Sequence, residues 1–524
     1  MGIGGQFLQS LKALYTGDSV VSSVNGISTR PVFLQRGLRQ GCSLSPLLFA
    51  LYISEIGRDL ALSPLGFPLG GQVVSGLCFA DDIVLMSEDS DGLCKLIRMV
   101  KSICDSLRLD ISVSKSNVVS PEDQELWQIM GPEDDVILSL KSVLSYKYLG
   151  TETTLKMTTT GSKRQERCIT TAKRYKFGCF YIAKTGPDVV DLALATWNNI
   201  AIPSMLTGCE VIPFTETTIQ AIERVQAQLS KAILGLPQSA PNICAQSELG
   251  LKPFRMILWK QQLGFYQRVL SLPSSRWVSV AMSDHLSGEW PSPYIGYITR
   301  IMEGIKMFDL LPTENGLNIH LNEWAIHETN RKISLLQLPC ISSVESFKRQ
   351  QYVFESGALS TIAQFRLSCA GLGNKAPNIG GFRWGQCILC SADLDELHVA
   401  FSCAALAVHR AKNTSITSFW NQCRLELLDV KESYRRFVNG LTVYGVEISK
   451  KEYKDRGLEL LSMKEAWLRM TGYSSVLTSL TYCLRFYDYS LFNLFLYFVL
   501  LRFPFFCLGL GVDIFLCSHV FKVA

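Results

Sequence analysis

At 524 residues, with 48% hydrophobic and 19% charged positions, the chain can bury two or three ordinary cores, which excludes a wholly disordered or fibrous protein. Lys+Arg 51 against Asp+Glu 46 leaves a formal charge of only +5, so any nucleic-acid footprint has to be local. Seventeen cysteines form no dense framework in a chain too long to need disulfide staples, and no charged-then-apolar leader opens it, so a reducing intracellular compartment, nucleus or cytoplasm, is expected.

Apolar positions recur at helical spacing over residues 6–15 (QFLQSLKALY). GDSVVSSVNGISTRPVFLQRGLRQG then alternates around Asn25-Gly26, the strongest short hairpin signal. SLSPLLFALYISEIGRDLAL has a continuous Leu/Phe/Ile face and predicts a mostly buried helix starting at Ser45-Pro46. VVSGLCFADDIVLMSED reads as strand, turn, strand, with Phe79 and Ile83 expected to be buried beside Asp81 and Asp82. A helix (LCKLIRMVKSICDSLRL) follows, then a short strand pair around ISVSKSNVV and SVLSYKYLGTE. Further on, TIQAIERVQAQLSKAILG places Ile219, Ile222, Val225, Leu229 and Ile233 on one helix face, with Leu236-Pro237 as its end. Residues 276–380 are mixed and predict no clear element.

Charge concentrates between positions 141 and 176, where nine Lys/Arg face Glu152 and Glu166, a local +7. Such a run reads either as a solvated helix face or as a phosphate-tracking surface. From Phe486 to the end lie nine of the 27 Phe. A run this apolar could span a bilayer, but Arg502 and Pro504 interrupt its middle, and Phe, Leu, Tyr and Ile are also what translated A/T-rich non-coding sequence encodes. Appended non-native sequence is the preferred reading, ahead of a membrane segment or core.

Asp81 and Asp82 are the first residues to resist a bland explanation. Two adjacent carboxylates at the tip of an apolar hairpin repel each other, and an oxygen-seeking divalent cation such as Mg²⁺ would relieve them. The order RGLRQGCSLSPLLFALYI and then CFADDIVLM resembles the B and C motifs of a reverse transcriptase palm. Arg39-Gln40-Gly41-Cys42 with Ser45-Pro46-Leu47 and Phe49, together with FADD, is similar to the non-LTR (LINE-type) retrotransposon branch; group II intron maturases share both boxes but usually lack the Arg-Gln-Gly-Cys wording.

The resemblance implies an α+β fold and RNA-directed DNA polymerisation by two-metal nucleotidyl transfer, with an RNA template, a DNA primer and deoxynucleoside triphosphates as partners and no small-molecule metabolite. Asp81 and Asp82 would hold Mg²⁺, and Arg39, Gln40, Gly41, Phe79 and Ala80 would lie against nucleotide and template. LRLDISVSKSNVV resembles motif D, with Lys115 near the leaving pyrophosphate. SYKYLGTE resembles motif E, with Tyr146, Tyr148, Leu149 and Gly150 as the primer grip. The basic stretch would then follow the primer-template duplex into a helical thumb that includes TWNNIAIPSMLTGCEVIPF.

A third signal is CILCSADLDELHVAFSC, where Cys387, Cys390, His398 and Cys403 have the spacing C-x₂-C-x₇-H-x₄-C that suits tetrahedral Zn²⁺, with His409 in reserve. It resembles the zinc knuckle of many non-LTR proteins, often preceded by an Arg-Leu helix like AQFRLSCAGLG. The organisation expected is a partial palm of antiparallel sheet plus helices over 1–155, a thumb over 156–275, a connecting region over 276–380, a knuckle over 381–412, a helical region over 413–475 and the tail over 476–524.

One departure stands out. A palm needs a further Asp from motif A on a neighbouring strand, and before Arg39 the sequence has only Asp18, in the turn context YTGDS. The chain is therefore expected to be the C-terminal half of a retrotransposon reading frame with a non-native Met1, inactive as a polymerase. The alternative is a non-catalytic RNA- or DNA-binding remnant that uses thumb and knuckle.

Overall fold

The computed structural model describes residues 4–33, 37–39, 41–121, 125–149, 151–155, 157–183, 189–287, 292–307, 313–336, 356–367, 520–522, and 387–470 without 388, 393, 395, 427, 440 and 446. These fall into two compact units, one of residues 1–146 with 509–524 and the other of residues 147–508.

The first unit begins with helix α1 (Gly5–Tyr15), strands β1 (Ser19–Val20) and β2 (Ser23–Val24), then β3 (Ile27–Ser28) and β4 (Val32–Phe33). Val24 pairs with Ile27 across Asn25-Gly26, whose φ values of 51° and 80° are the positive pair that a two-residue hairpin of this kind requires. Helix α2 (Ser45–Leu62) starts where Ser45-Pro46 predicts, yet it buries only Ile53, Ile56 and Leu60, while Leu47, Tyr52 and Leu62 stay exposed. The expectation of a mostly buried helix is thus corrected: none of the residues before α2 whose burial is described is buried, so they do not cover it.

Strands β5 (Phe67–Leu69) and β6 (Gln72–Val74) form a separate hairpin. The main sheet is built from β7 (Gly76–Phe79), β8 (Asp82–Leu85), β9 (Asn117–Val119), β10 (Leu126–Met130), β11 (Val136–Ser142) and β14 (Val520–Lys522), in the order β10-β11-β9-β14-β8-β7. Only β9 and β11 run parallel. The β10–β11 hairpin was not expected from the sequence. Helix α3 (Ser90–Ser106) opens on Asp89, whose carboxylate accepts the Gly92 N–H at 2.6 Å, and it buries Leu93, Leu96, Ile97, Val100 and Cys104 at helical spacing. With Ile83, Leu85, Val118, Ile129 and Leu140 of the sheet these side chains form the core of the unit. Of the tail expected over 476–524, only 520–522 are described; the rest lies outside the described residues, as do Gln40 and Gly150.

Strands β12 (Tyr146–Tyr148) and β13 (Thr151–Thr153) pair with each other, and from α4 onward the described residues of the second unit are mainly helical. Helix α4 (Met157–Ile182) packs against α7 (Glu216–Leu234), with α5 (Val189–Thr196), a π-helical turn (Trp197–Ala201) and α6 (Ile202–Leu206) between them. Ile219, Ile222, Val225, Leu229 and Ile233 of α7 are all buried, as their spacing predicts. The Thr215 hydroxyl caps its start, and its end is set by left-handed Gly235 at φ 61° rather than by Leu236-Pro237. Helices α8 (Asn242–Glu248), α9 (Phe254–Leu270), α10 (Trp277–Ser287), α11 (Pro293–Gly304), α12 (Glu314–Ser334) and α13 (Ser356–Arg366) follow, so much of the stretch that predicted no clear element is helical. Beyond Cys403 come α14 (Ala407–Ala411), α15 (Thr414–Leu425), α16 (Val430–Val438) and α17 (Lys450–Met470). One apolar core gathers α4–α7 with α9–α12; another joins the end of α7 and α8 to α13, buried residues between Cys387 and Cys403, and α15–α17.

Candidate functional sites

The Asp-Asp pair sits at the tip of the β7–β8 hairpin. Phe79 pairs with Asp82, and Ala80, in the left-handed region at φ 51°, turns the chain with Asp81. Both aspartates are half-buried. Phe79 is 60% exposed, against the expectation of burial, because β7 is an edge strand of the sheet; Ile83 is fully buried.

Lys115 is exposed in the turn leading into β9. The hydroxyl of Tyr146 donates to the Lys115 carbonyl at 2.9 Å. Burial and the nearby charge of Asp82 together push the Tyr146 hydroxyl up to about 12. The segments around 115 and 146 therefore meet, and Asp82 lies near enough for its charge to act on the Tyr146 hydroxyl. Tyr148 is half-buried and Leu149 exposed, with φ 43° at the β12–β13 turn.

Arg39 faces α1. Its Nε lies 2.5 Å from an Asp18 carboxylate oxygen, one terminal nitrogen donates to the Leu14 carbonyl at 2.6 Å, and the guanidinium lies 5.6 Å from the Tyr15 ring centre. Asp18, the one upstream candidate for a third metal carboxylate, is held in that ion pair. Gly41 has φ 82°, and a Cβ there would meet nothing within 4 Å, so backbone conformation rather than crowding requires glycine at this position. Among the described residues no third carboxylate joins Asp81 and Asp82 in a metal-holding group. The pair can start the oxygen shell of one divalent ion but does not by itself make a two-ion site.

Cys387, Cys390, His398 and Cys403 do converge. Their ligand atoms lie within 4.8 Å of one another: Cys387 and Cys390 sulfurs each stand 3.9 Å from that of Cys403, and Cys390 Sγ lies 3.2 Å from His398 Nε2. Sulfurs about 2.3 Å from one tetrahedral zinc stand about 3.8 Å apart, whereas disulfide sulfurs lie about 2.05 Å apart. The spacing fits a shared ion and excludes a disulfide. The turn is closed by Cys390 N–H to the Cys387 carbonyl at 3.3 Å, Ser391 N–H to the same carbonyl at 2.7 Å, and left-handed Ser391.

The electrostatics agree with the geometry. Burial raises the Cys387 thiol, but the N–H of Leu389, the Trp467 indole and Cys390 outweigh it and leave the thiol below its usual range. Burial and the neighbouring cysteines push Cys403 up to about 11, a crowding of negative charge that a cation would relieve. His409 is not in the cluster. The Arg-Leu helix expected ahead of the knuckle is α13. Its Arg366 is fully buried, with Nε 3.3 Å from Oε1 of the equally buried Glu248 and a terminal nitrogen 3.3 Å from the Tyr453 hydroxyl.

The basic stretch needs one correction. Arg164 points inward, is 4% exposed, and donates to the Met205 carbonyl at 2.9 Å, to the Thr207 carbonyl and to Cys209 Sγ at 3.3 Å, so it satisfies the helix end of α6 and tracks no phosphate. Lys156 lies outside the described residues.

The first unit is thus a mixed fold of sheet and helices that carries a two-aspartate hairpin at one edge of its main sheet, and the second unit is mainly helical. Residues 6–153 match the family model described as reverse transcriptase (RNA-dependent DNA polymerase). The chain is 28% identical over 165 residues to the Pol polyprotein from the type-2 retrotransposable element R2DM of Drosophila melanogaster, covering 30% of this chain and 15% of that one. It is 25% identical over 291 residues to the Pol polyprotein from the type-1 element R2 of Popillia japonica, covering 50% and 38%. A shorter match to the R2 polyprotein of Nasonia vitripennis is 45% identical over 58 residues, covering 11% and 6%. The matched regions thus span between 6 and 38% of the length of these relatives. Over residues 6–153 the chain is therefore similar to reverse transcriptases, and over parts of its length it is similar to the Pol polyproteins of R2 retrotransposable elements. No helix among the described residues is long and apolar enough to cross a membrane.

Proposed function

We propose that residues 6–153 are the nucleotidyl-transfer part of an RNA-directed DNA polymerase that copies the RNA of a non-LTR element from a DNA primer with deoxynucleoside triphosphates. Asp81 and Asp82 hold Mg²⁺, Lys115 neutralises the leaving pyrophosphate, and Arg39, Gln40, Gly41, Phe79 and Ala80 border nucleotide and template. Tyr146, Tyr148, Leu149 and Gly150 support the primer end. The observation that carries this reading is Tyr146, which reaches the Lys115 carbonyl at 2.9 Å while lying near enough to Asp82 to feel its charge.

The 524-residue polypeptide by itself does not incorporate nucleotides. Asp18 is engaged by Arg39, and two adjacent carboxylates do not fix two ions about 3.5–4 Å apart. Manganese paramagnetic resonance tests the metal assignment without relying on turnover: a bound Mn²⁺ lost in the Asp81→Asn, Asp82→Asn double variant supports it, and equal binding in both overturns it.

The tetrahedral spacing at Cys387, Cys390, His398 and Cys403 supports a structural zinc knuckle and a second reading, a nucleic-acid-binding role without catalysis. Salt-dependent RNA affinity with no incorporation at any metal concentration would favour that role.

A further inference from the structure

Helix α4 has two unlike faces. Arg164, Cys168, Ala172 and Cys179 are buried in the helical core. On the outer side Lys163, Arg167, Arg174 and Tyr181, at i, i+4, i+11 and i+18, run along one line of the helix, with Phe177 beside it and Lys173 and Phe180 along the margin. Arg167, Lys173 and Arg174 are exposed, and so are Phe177 at 56%, Phe180 at 37% and Tyr181 at 46%.

Single exposed rings are ordinary; three on one face of one helix, next to a row of cations, are not scattered. Within α4 itself Glu166 is the one acid, and Glu152, from β13, is in an ion pair with Lys163 at 2.5 Å. Lys176 is anchored differently. It donates to Gln228 of α7 at 3.1 Å and lies 4.8 Å from the Phe177 ring centre, which holds that ring at the surface.

We propose that this face of α4 binds single-stranded nucleic acid, with Arg167, Lys173 and Arg174 on the phosphates and Phe177 and Tyr181 as platforms for bases. Charge alone would suit a duplex equally. The rings decide between them, because in a duplex both faces of each base are covered by its neighbours, whereas an unpaired base stacks on an exposed aromatic side chain. From Arg167 to Tyr181 the helix advances about 21 Å, room for a short run of nucleotides. The inference stands on α4 itself and holds whether or not residues 6–153 polymerise.

The test is fluorescence anisotropy of the full chain with a labelled unstructured RNA and a blunt RNA duplex of equal length, across a salt series. Phe177→Ala with Tyr181→Ala is expected to weaken the single-strand complex by about 5-fold or more, leaving its salt slope and the duplex affinity unchanged. Phe177→Trp with Tyr181→Trp should retain single-strand affinity. Arg167→Gln with Arg174→Gln should reduce the single-strand slope of log K against log salt by about 1.4. Equal losses on both probes, a loss on the duplex alone, or no loss on either would overturn the proposal. Both rings lie at the surface, so matching thermal midpoints ensure that the variants report on binding.

Discussion

Glu248→Gln is expected to change how stability depends on pH, in a direction opposite to the usual effect of removing an ion-pair partner. Glu248 is 2% exposed, at the end of α8, and its only counter-charge among the described residues is Arg366 at 3.3 Å. Neither carboxylate oxygen accepts a hydrogen bond from a described residue, so attraction to the guanidinium is set against the full loss of hydration. Burial wins, and the carboxyl is pushed up from 4.5 to about 7. Between those values the folded state holds a proton that the unfolded state releases, so stability falls as pH rises through the window and is flat on either side with respect to this group. At about 1.36 kcal/mol for each tenfold change in proton affinity, the fall is about 3 kcal/mol. Glutamine imitates the protonated acid. The variant should therefore match the parent near pH 4 and exceed it by about 3 kcal/mol near pH 8, measured as denaturant midpoints of the full chain. Taking the difference between the two proteins cancels the titration of the cysteines and histidine. A variant that is 3–5 kcal/mol less stable at pH 8 would refute the reasoning and show that the ion pair outweighs its desolvation.

Three further outcomes are expected. Purified chain should carry one zinc by elemental analysis, and Cys403→Ser, at a fully buried ligand, should lose it and lower the unfolding midpoint by about 5 °C or more. With Mg²⁺, a primed RNA template and four deoxynucleotides, the polypeptide should incorporate no more label than the Asp81→Asn, Asp82→Asn variant; clear Asp-dependent incorporation would mean that another group completes the metal site. Ile222→Ala, at a fully buried position in α7, should cost about 2–5 kcal/mol in denaturant unfolding, whereas Ile326→Ala, at an exposed position of α12, should cost little.

Local chemistry was legible in the sequence and distant pairing was not. Asn25-Gly26 encodes its own turn, and Phe-Ala-Asp-Asp between two apolar runs encodes a hairpin, because both depend on residues a few positions apart. The four zinc-type ligands were legible for the same reason. Arg164 was misread because the stretch was taken as a sum of charges. The small apolar residues Cys168, Ala172 and Cys179 already mark an inner face, and Arg164 precedes Cys168 by four positions on that face. Burial of Phe79 was expected from its type, but its exposure follows from β7 standing at the sheet edge, a property of strand order. The Glu248–Arg366 pair joins residues 118 positions apart, and the parallel β9–β11 pairing depends on a register that no local pattern records.

The strand order also bears on the aspartates. Asp82 opens β8, and the neighbour of β8 on the side away from β7 is β14, which itself pairs with β9. Because adjacent strands lie about 4.8 Å apart, β8 and β9 leave room for one strand between them, and Val520, Phe521 and Lys522 take that place. A carboxylate meant to share an ion with Asp81 and Asp82 would most directly come from this neighbouring strand, since residues opposite one another in a sheet have Cβ atoms about 5 Å apart. None of the three residues is acidic. In register, Phe521 faces Leu85 and Lys522 faces Val84, so β14 completes backbone pairing further along β8 and sets no described carboxylate beside Asp81 and Asp82. Two adjacent carboxylates can hold one ion without fixing two, which is the physical ground for expecting metal binding at the pair to be separable from nucleotide transfer.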